Sequence, residues 1–340
     1  LYEAGDVRGA QSSFELVIAM NPTHAEALFG LGVLVEQGGD LITAKQHYRT
    51  AIESTPGHAP SLVNLGNILR SERKYPEAIE LLERAVNEAQ DVPLVHNNFG
   101  IALHHSGRTE DAISVFQKAL ELDPIFSKAL TNLGNVLTKR RQKLDALIYF
   151  KKAILVEPIT AEAYNNLANA LRNLGDQKDA IINYNRAINL KPTLAEAYNN
   201  LGAALGKNEQ YEEAEKILKH VIKLQPDFVE VLNNLGSILT RIGKYDEAEA
   251  ILSRSIKINP NSAKVLSDLG DIYRKLNKYE QAVDYYKKAI KIKPNYYESL
   301  NSMGLALMEL ENYSKARNIF KQAIKLNPKK VQAYNNLGTI

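Results

Sequence analysis

Residues 161–194 read AEAYNNLANALRNLGDQKDAIINYNRAINLKPTL, and variants of this stretch recur in phase along the whole 340-residue chain. The first half places Ala163, Tyr164, Leu167, Ala170, Leu171 and Leu174 at helical spacing, so it predicts an amphipathic helix. Gly175-Asp176 then supplies a stop, because glycine tolerates the left-handed conformation that closes a helix. A second apolar stripe follows at Ala180, Ile181, Tyr184, Ala187 and Ile188. Pro192 ends the unit, since proline has no N–H to continue the helical ladder.

Working outward, the punctuation keeps one 34-residue register. Proline stands at Pro22, Pro56, Pro124, Pro158, Pro192, Pro226, Pro260, Pro294 and Pro328, with Gln90 the exception. Gly32, Gly66, Gly100, Gly134, Gly202, Gly236, Gly270, Gly304 and Gly338 share a second register, in which Ala168 fills the gap. Alanine holds a third, from Ala10 through Ala146 to Ala316. A fixed period of this length signals a stacked-repeat architecture, in which one helix pair cannot bury both its apolar faces and stability comes from its neighbours. The expected organisation is one solenoid over 1–340: the second half of a truncated repeat at 1–24, nine full repeats over 25–330, and half a repeat at 331–340. A domain-size prior of two or three globular units is thereby set aside.

The quoted pattern resembles the tetratricopeptide repeat family. Its succession of an aromatic or Leu, then Leu-Gly, Ala, an aromatic, Ala and Pro appears as Leu130, Leu133-Gly134, Leu137, Ala146, Phe150, Ala153 and Pro158. It recurs less completely as Tyr198, Leu201-Gly202, Leu205, Ala214, Leu218, Val221 and Pro226. The resemblance covers the whole chain and implies an all-α fold, a right-handed α-solenoid or superhelix whose first helices line a concave face.

Composition narrows the chemistry. The absence of cysteine excludes a disulfide framework, thiolate metal ligands and thiol nucleophiles. No apolar run approaches the roughly 20 residues that cross a bilayer, and the opening residues carry no signal-peptide pattern. A cytoplasmic protein without membrane attachment is therefore expected. The first residue is not Met, and Tyr334 and Leu337 occupy positions that pack against a second helix. The chain therefore reads as an excised part of something longer, with uncapped edges prone to fray or to pair with another copy. Net charge is only +3, but residues 1–124 carry 9 basic and 17 acidic side chains, while residues 125–340 carry 33 and 22. Glutamate is interspersed throughout, which reads as solvated surface more than as a nucleic-acid footprint.

On the first helix, positions 2, 6, 9 and 13 fall on one stripe, opposite the core positions 4, 8 and 11. Position 6 holds Asn64, Asn98, Asn132, Asn166, Asn200 and Asn234 in six consecutive repeats and Asn336 in the last; Gly30, Asp268 and Ser302 interrupt the row elsewhere. Position 9 adds Asn67, Asn135 and Asn169. A carboxamide offers an acceptor and two donors, the complement of a peptide unit. With helices about 8–10 Å apart and an extended chain advancing about 3.3 Å per residue, successive Asn would meet roughly every third peptide unit. The alternative is a structural role, since Asn is common at this position of the family. An uninterrupted Asn row is most similar to the repeat region of protein O-linked N-acetylglucosamine transferases and their bacterial and plant relatives. There it implies a groove that guides polypeptide to a separate glycosyltransferase domain, which these residues do not contain. Similar repeats also precede sulfotransferase or methyltransferase domains. The carboxylate clamp of the family needs Lys or Arg at position 5 and Arg at position 6 of a later repeat, and position 5 holds neither.

Other chemistry is missing. Gly202 to Lys207 mimics a phosphate loop, but its spacing is one residue short and no Ser or Thr follows the lysine. His96, His104 and His105 share a helix, with His96 at a core position and the adjacent pair expected to point apart, so no metal site is expected. Two local departures stand out: Gln90 with Pro93, expected to mark a seam, and the basic turn Lys139-Arg140-Arg141-Gln142-Lys143. The expected function is a non-catalytic scaffold binding other proteins through extended peptide segments, with no cofactor. The alternative is the substrate-recognition part of a larger glycosyltransferase.

Overall fold

Each unit of sequence closes twice, and the closures explain the helix bounds. At the end of the first helix of a pair, the amide of Arg108 donates to the carbonyl of Leu103 at 2.9 Å, across Gly107 at φ +88°. This ties off helix-terminal carbonyls that have no partner within the helix. Gly39, Gly175 and Gly243 take the same left-handed conformation at the same register, and Arg73, Glu209, Asn277 and Glu311 are forced into it without being glycine. Between repeats, the amide of Asp123 still bonds the carbonyl of Ala119, and then Pro124 ends the ladder.

The computed structural model describes residues 7–140 and 142–340. Residues 1–6 and Arg141 of the basic turn lie outside the described residues. Among the described residues there are 20 helices and no strand, and the chain divides into two compact units, residues 1–174 and 175–340. The first unit holds α1 (Val7–Met20), α2 (Ala25–Gln37), α3 (Leu41–Ser54), α4 (Ala59–Ser71), α5 (Tyr75–Glu88), α6 (Pro93–His105), α7 (Thr109–Leu122), α8 (Ser127–Lys139), α9 (Lys143–Val156) and α10 (Ala161–Leu174). The second holds α11 (Gln177–Leu190), α12 (Ala195–Lys207), α13 (Tyr211–Leu224), α14 (Val229–Arg241), α15 (Tyr245–Ile258), α16 (Ala263–Lys275), α17 (Tyr279–Ile292), α18 (Tyr297–Glu309), α19 (Tyr313–Leu326) and α20 (Val331–Gly338). Each unit is an all-α solenoid of stacked helix pairs.

Within a pair, the recurring register of small residues has a direct packing cause. A Cβ on Gly134 of α8 would lie 2.6 Å from Cε1 of Phe150 on α9, and one on Gly100 of α6 would lie 2.7 Å from Cε1 of Phe116 on α7. The glycine leaves room for a ring that is itself fully buried, worth roughly 1.5–3 kcal/mol of burial. The same arrangement joins Gly32 to Tyr48 and Gly66 to Leu82 in the first unit, and Gly270 to Tyr286 and Gly304 to Phe320 in the second. Ala112, Ala146, Ala214 and Ala282, from the alanine register, are also fully buried.

Two expectations change. The joint at Gln90 and Pro93 lies inside the first unit and marks no seam. Pro93 occupies the first position of α6, where an N–H has no helical partner, and Nε2 of His96 lies 2.7 Å from the carbonyl oxygen of Gln90. At α20, Tyr334 is half exposed as expected, whereas Leu337 packs back on the cluster around Met303, Leu307 and Phe320.

Candidate functional site

The Asn row of the first helices is bonded from repeat to repeat. Asn132 on α8 donates through Nδ2 to Oδ1 of Asn97 on α6 at 2.9 Å. Asn234 on α14 donates to Asn199 on α12 at 2.8 Å, and Asn336 on α20 donates to Asn301 on α18 at 3.0 Å. In every case position 6 reaches position 5 of the preceding repeat, a span of 35 residues. Asn64 departs from this because position 5 of α2 is Phe29, and it donates instead to the hydroxyl of Tyr48 at 3.1 Å. Asn98, Asn166 and Asn200 are half-buried like the others. The structural role weighed for this row therefore has a direct counterpart at these positions. Each such bond occupies one of the two donors of Nδ2 and leaves the other donor and the Oδ1 lone pairs.

Four candidates come together in the first unit. Asn132, Asn135, Asn166 and Asn169 line a cavity of about 350 Å³ formed on α6, α8 and α10, with Phe116 and Phe150 at its base. Asn67, on α4, is half-buried and its Oδ1 is buried without a hydrogen-bond partner.

The same cavity is lined by His104, His105 and Lys139, which the search for Asn did not single out. The expectation that the two histidines point apart is corrected: both line the cavity, with ring centroids 6.0 Å apart. His105 and Lys139 occupy position 13 of α6 and α8, so the stripe of positions 2, 6, 9 and 13 already carried the signal. Nζ of Lys139 lies 2.8 Å from Nε2 of His104. An ammonium only donates, so Nε2 accepts, the imidazole is neutral, and its proton sits on Nδ1. That Nδ1 is buried and has no hydrogen-bond partner. Burial, then Lys139, then His105 hold His104 below the usual imidazole range. His105 is lowered likewise by burial, by Arg70 and by Lys139.

The basic turn is anchored locally. Arg140 pairs with Glu110 at 2.9 Å, and Nζ of Lys143 donates to the carbonyl of Asn173 at 2.5 Å. In the second unit, Asp268 interrupts the Asn row on α16. Burial raises its carboxyl to about 6, with Lys264 opposing and Asp271 adding to the shift, and its Oδ2 has no hydrogen-bond partner.

Among the described residues, no group of three His, Asp or Glu side chains is placed to hold a metal, and no helix is long and apolar enough to cross a membrane. Gly202 and Lys207, the apparent phosphate loop, lie inside α12.

A tetratricopeptide repeat family model matches residues 57–125, 193–259 and 227–295. Further models of the same repeat match residues 1–59, 115–148, 168–209 and 304–340. No curated protein matches the chain. Among solved structures, the chain is similar to PilF of Pseudomonas aeruginosa, with 24% identity over 63% of this chain and 97% of that one, at a TM-score of 0.56. It is also similar to a chain of the APC/C hetero-tetramer Cut9–Hcn1, with 16% identity over 99% of this chain and 69% of that one, at a TM-score of 0.63. These likenesses are of fold.

Proposed function

The chain belongs to the tetratricopeptide repeat family, and from that premise we propose that this repeat scaffold binds extended peptide segments of other proteins along the Asn-bearing stripe of its first helices, without catalysis of its own. The observation that carries this reading is the cavity on α6, α8 and α10, where carboxamides from two successive repeats face one space. Their remaining donors and acceptors suit peptide N–H and C=O groups, and an array of backbone hydrogen bonds is largely indifferent to side-chain sequence.

The test separates binding from the ladder that holds the repeats together. Asn135→Ala with Asn166→Ala leaves the Asn97–Asn132 bond in place. Against a panel of unstructured twelve-residue peptides, read by fluorescence anisotropy, the double variant is expected to lose about tenfold in affinity, the effect of one or two hydrogen bonds. Unchanged affinity with an unchanged helical circular-dichroism signal would overturn the reading.

The Asn row also favours a second reading, in which the repeats present polypeptide to a glycosyltransferase domain of a longer protein. Sequence of the full-length protein decides it: a nucleotide-sugar-binding domain in the same polypeptide supports this reading, and its absence removes it.

A further inference from the structure

The cavity on α6, α8 and α10 holds a lysine and two imidazoles with no acid beside them. His104 and His105 on α6 and Lys139 on α8 line it, and no Asp or Glu does. Several lysines elsewhere meet carboxylates: Lys45 meets Glu72, Lys244 meets Glu215 at 2.8 Å, and Lys330 meets Glu298 at 2.6 Å. Lys139 instead rests on a ring nitrogen, and the acid near the adjoining turn, Glu110, is paired with Arg140. Nδ1 of His104 adds a buried donor without an acceptor.

We propose that this cavity receives an anionic group on a bound peptide, an Asp or Glu carboxylate or the phosphate of a phosphorylated Ser or Thr, with Lys139 as counter-ion and His104 and His105 as ring donors. The proposal rests on the peptide-binding reading of the same stripe and adds a chemical class to the partner. The cavity volume of about 350 Å³ suits a side chain more than a folded element. Burial, with the charges of Lys139 and Arg70 added to it, holds both histidines low, and an anion in the cavity offsets the charge part of this, so its binding takes up protons. The charged and titratable groups facing the pair are Arg70 from α4, Tyr75 from α5 and Lys139 from α8; α7 and α9 present Phe116 and Phe150 to the cavity, and α10 presents amides. Binding of a glutamate peptide should therefore tighten as pH falls from 7.5 toward 5.5, above the range in which the glutamate itself protonates.

The experiment has two arms on the intact chain. In the first, inorganic phosphate is added while the ring resonances of His104 and His105 are followed by NMR. Their titration midpoints should rise by about one pH unit, as expected for an opposite charge at close range, and the response should be lost in Lys139→Gln. No rise in the parent protein, or the same rise in the variant, overturns the anion site whatever peptides do. In the second, matched peptides carry a central Glu, phosphoserine or Gln. Glu or phosphoserine is expected to bind about tenfold tighter than Gln, and Lys139→Gln to erase that preference while leaving the Gln peptide unchanged. Equal binding of all three defeats the anion proposal and spares the groove; a midpoint rise with no peptide binding defeats the groove. The tighter of Glu and phosphoserine identifies the source of the charge.

Discussion

The side-chain amide of Asn132 donates to the carboxamide oxygen of Asn97, 35 residues upstream, at 2.9 Å. Asn97 is 2% exposed, so its oxygen has little access to water and the bond is its replacement. The same relation links Asn199 to Asn234 and Asn301 to Asn336. A row that reads as a ligand-binding stripe thus also couples one repeat to the next.

Removing the acceptor tests that coupling. Asn97→Ala should destabilise the protein by about 1–2 kcal/mol, since it deletes a buried hydrogen bond and strands part of the Asn132 amide. Combined with Asn132→Ala in a double-mutant cycle by urea denaturation, the pair should show a coupling of about 0.5–1.5 kcal/mol. Additive effects would mean that the bond contributes nothing net.

The glycine beneath each ring admits a sharper test. In Gly134→Ala the new Cβ would stand 2.6 Å from the buried ring of Phe150. Overpacking of this kind costs about 1–3 kcal/mol, read as a lower urea midpoint. Adding Phe150→Leu should cost less in this background than in the parent protein. Gly107→Ala, where no atom lies within 4 Å but φ is +88°, should lose about 1–2 kcal/mol from backbone strain alone and gain nothing from Phe150→Leu.

Conversely, the left-handed turn positions without glycine are sites for gain. Glu209 at φ 64° and Glu311 at φ 55° bear a strain that glycine does not. Glu209→Gly and Glu311→Gly are each expected to stabilise by about 0.5–1 kcal/mol after the added entropy of the unfolded chain is offset. A lower thermal midpoint for both would contradict the strain argument.

Asp268 predicts a pH dependence. Its carboxyl titrates near 3.8 when unperturbed and at about 6 in the folded protein, raised chiefly by burial. The folded state thus binds the proton more tightly, so stability from this group is highest in acid and falls as pH rises from about 4 to about 6, by about 3 kcal/mol in all. Asp268→Asn restores the residue type of the row and should add about 2–3 kcal/mol at pH 7. The gain should shrink toward zero near pH 4, checked by urea denaturation at both values. An equal gain at both would show that the buried charge is not its cause.

The parts of this protein that follow local rules were legible early. Helix bounds around Gly107 and Pro124 follow from backbone chemistry that acts within a few residues. The stripe of positions 2, 6, 9 and 13 grouped Asn132, Asn135 and Asn166, which line one cavity, because side-chain direction on a helix is periodic. The seam expected at Gln90 did not form, because Pro93 fits the first turn of α6 and His96 closes the gap. Neither side-chain contact is visible in the missing proline.

By itself the sequence determined the 34-residue repeat, its two helices, its turns and the small residues that let them pack, since these depend on hydrogen bonding and side-chain spacing close along the chain. Tertiary structure alone decided that Asn132 would bond Asn97, that His104 and Lys139 would share one cavity without a carboxylate, and that Asp268 would be half-buried with one carboxylate oxygen unpartnered. Those relationships join residues in different helices, and they depend on how closely successive first helices stack and which way long side chains turn across the gap. Periodicity locates the stripe; only packing distance determines which groups on it meet.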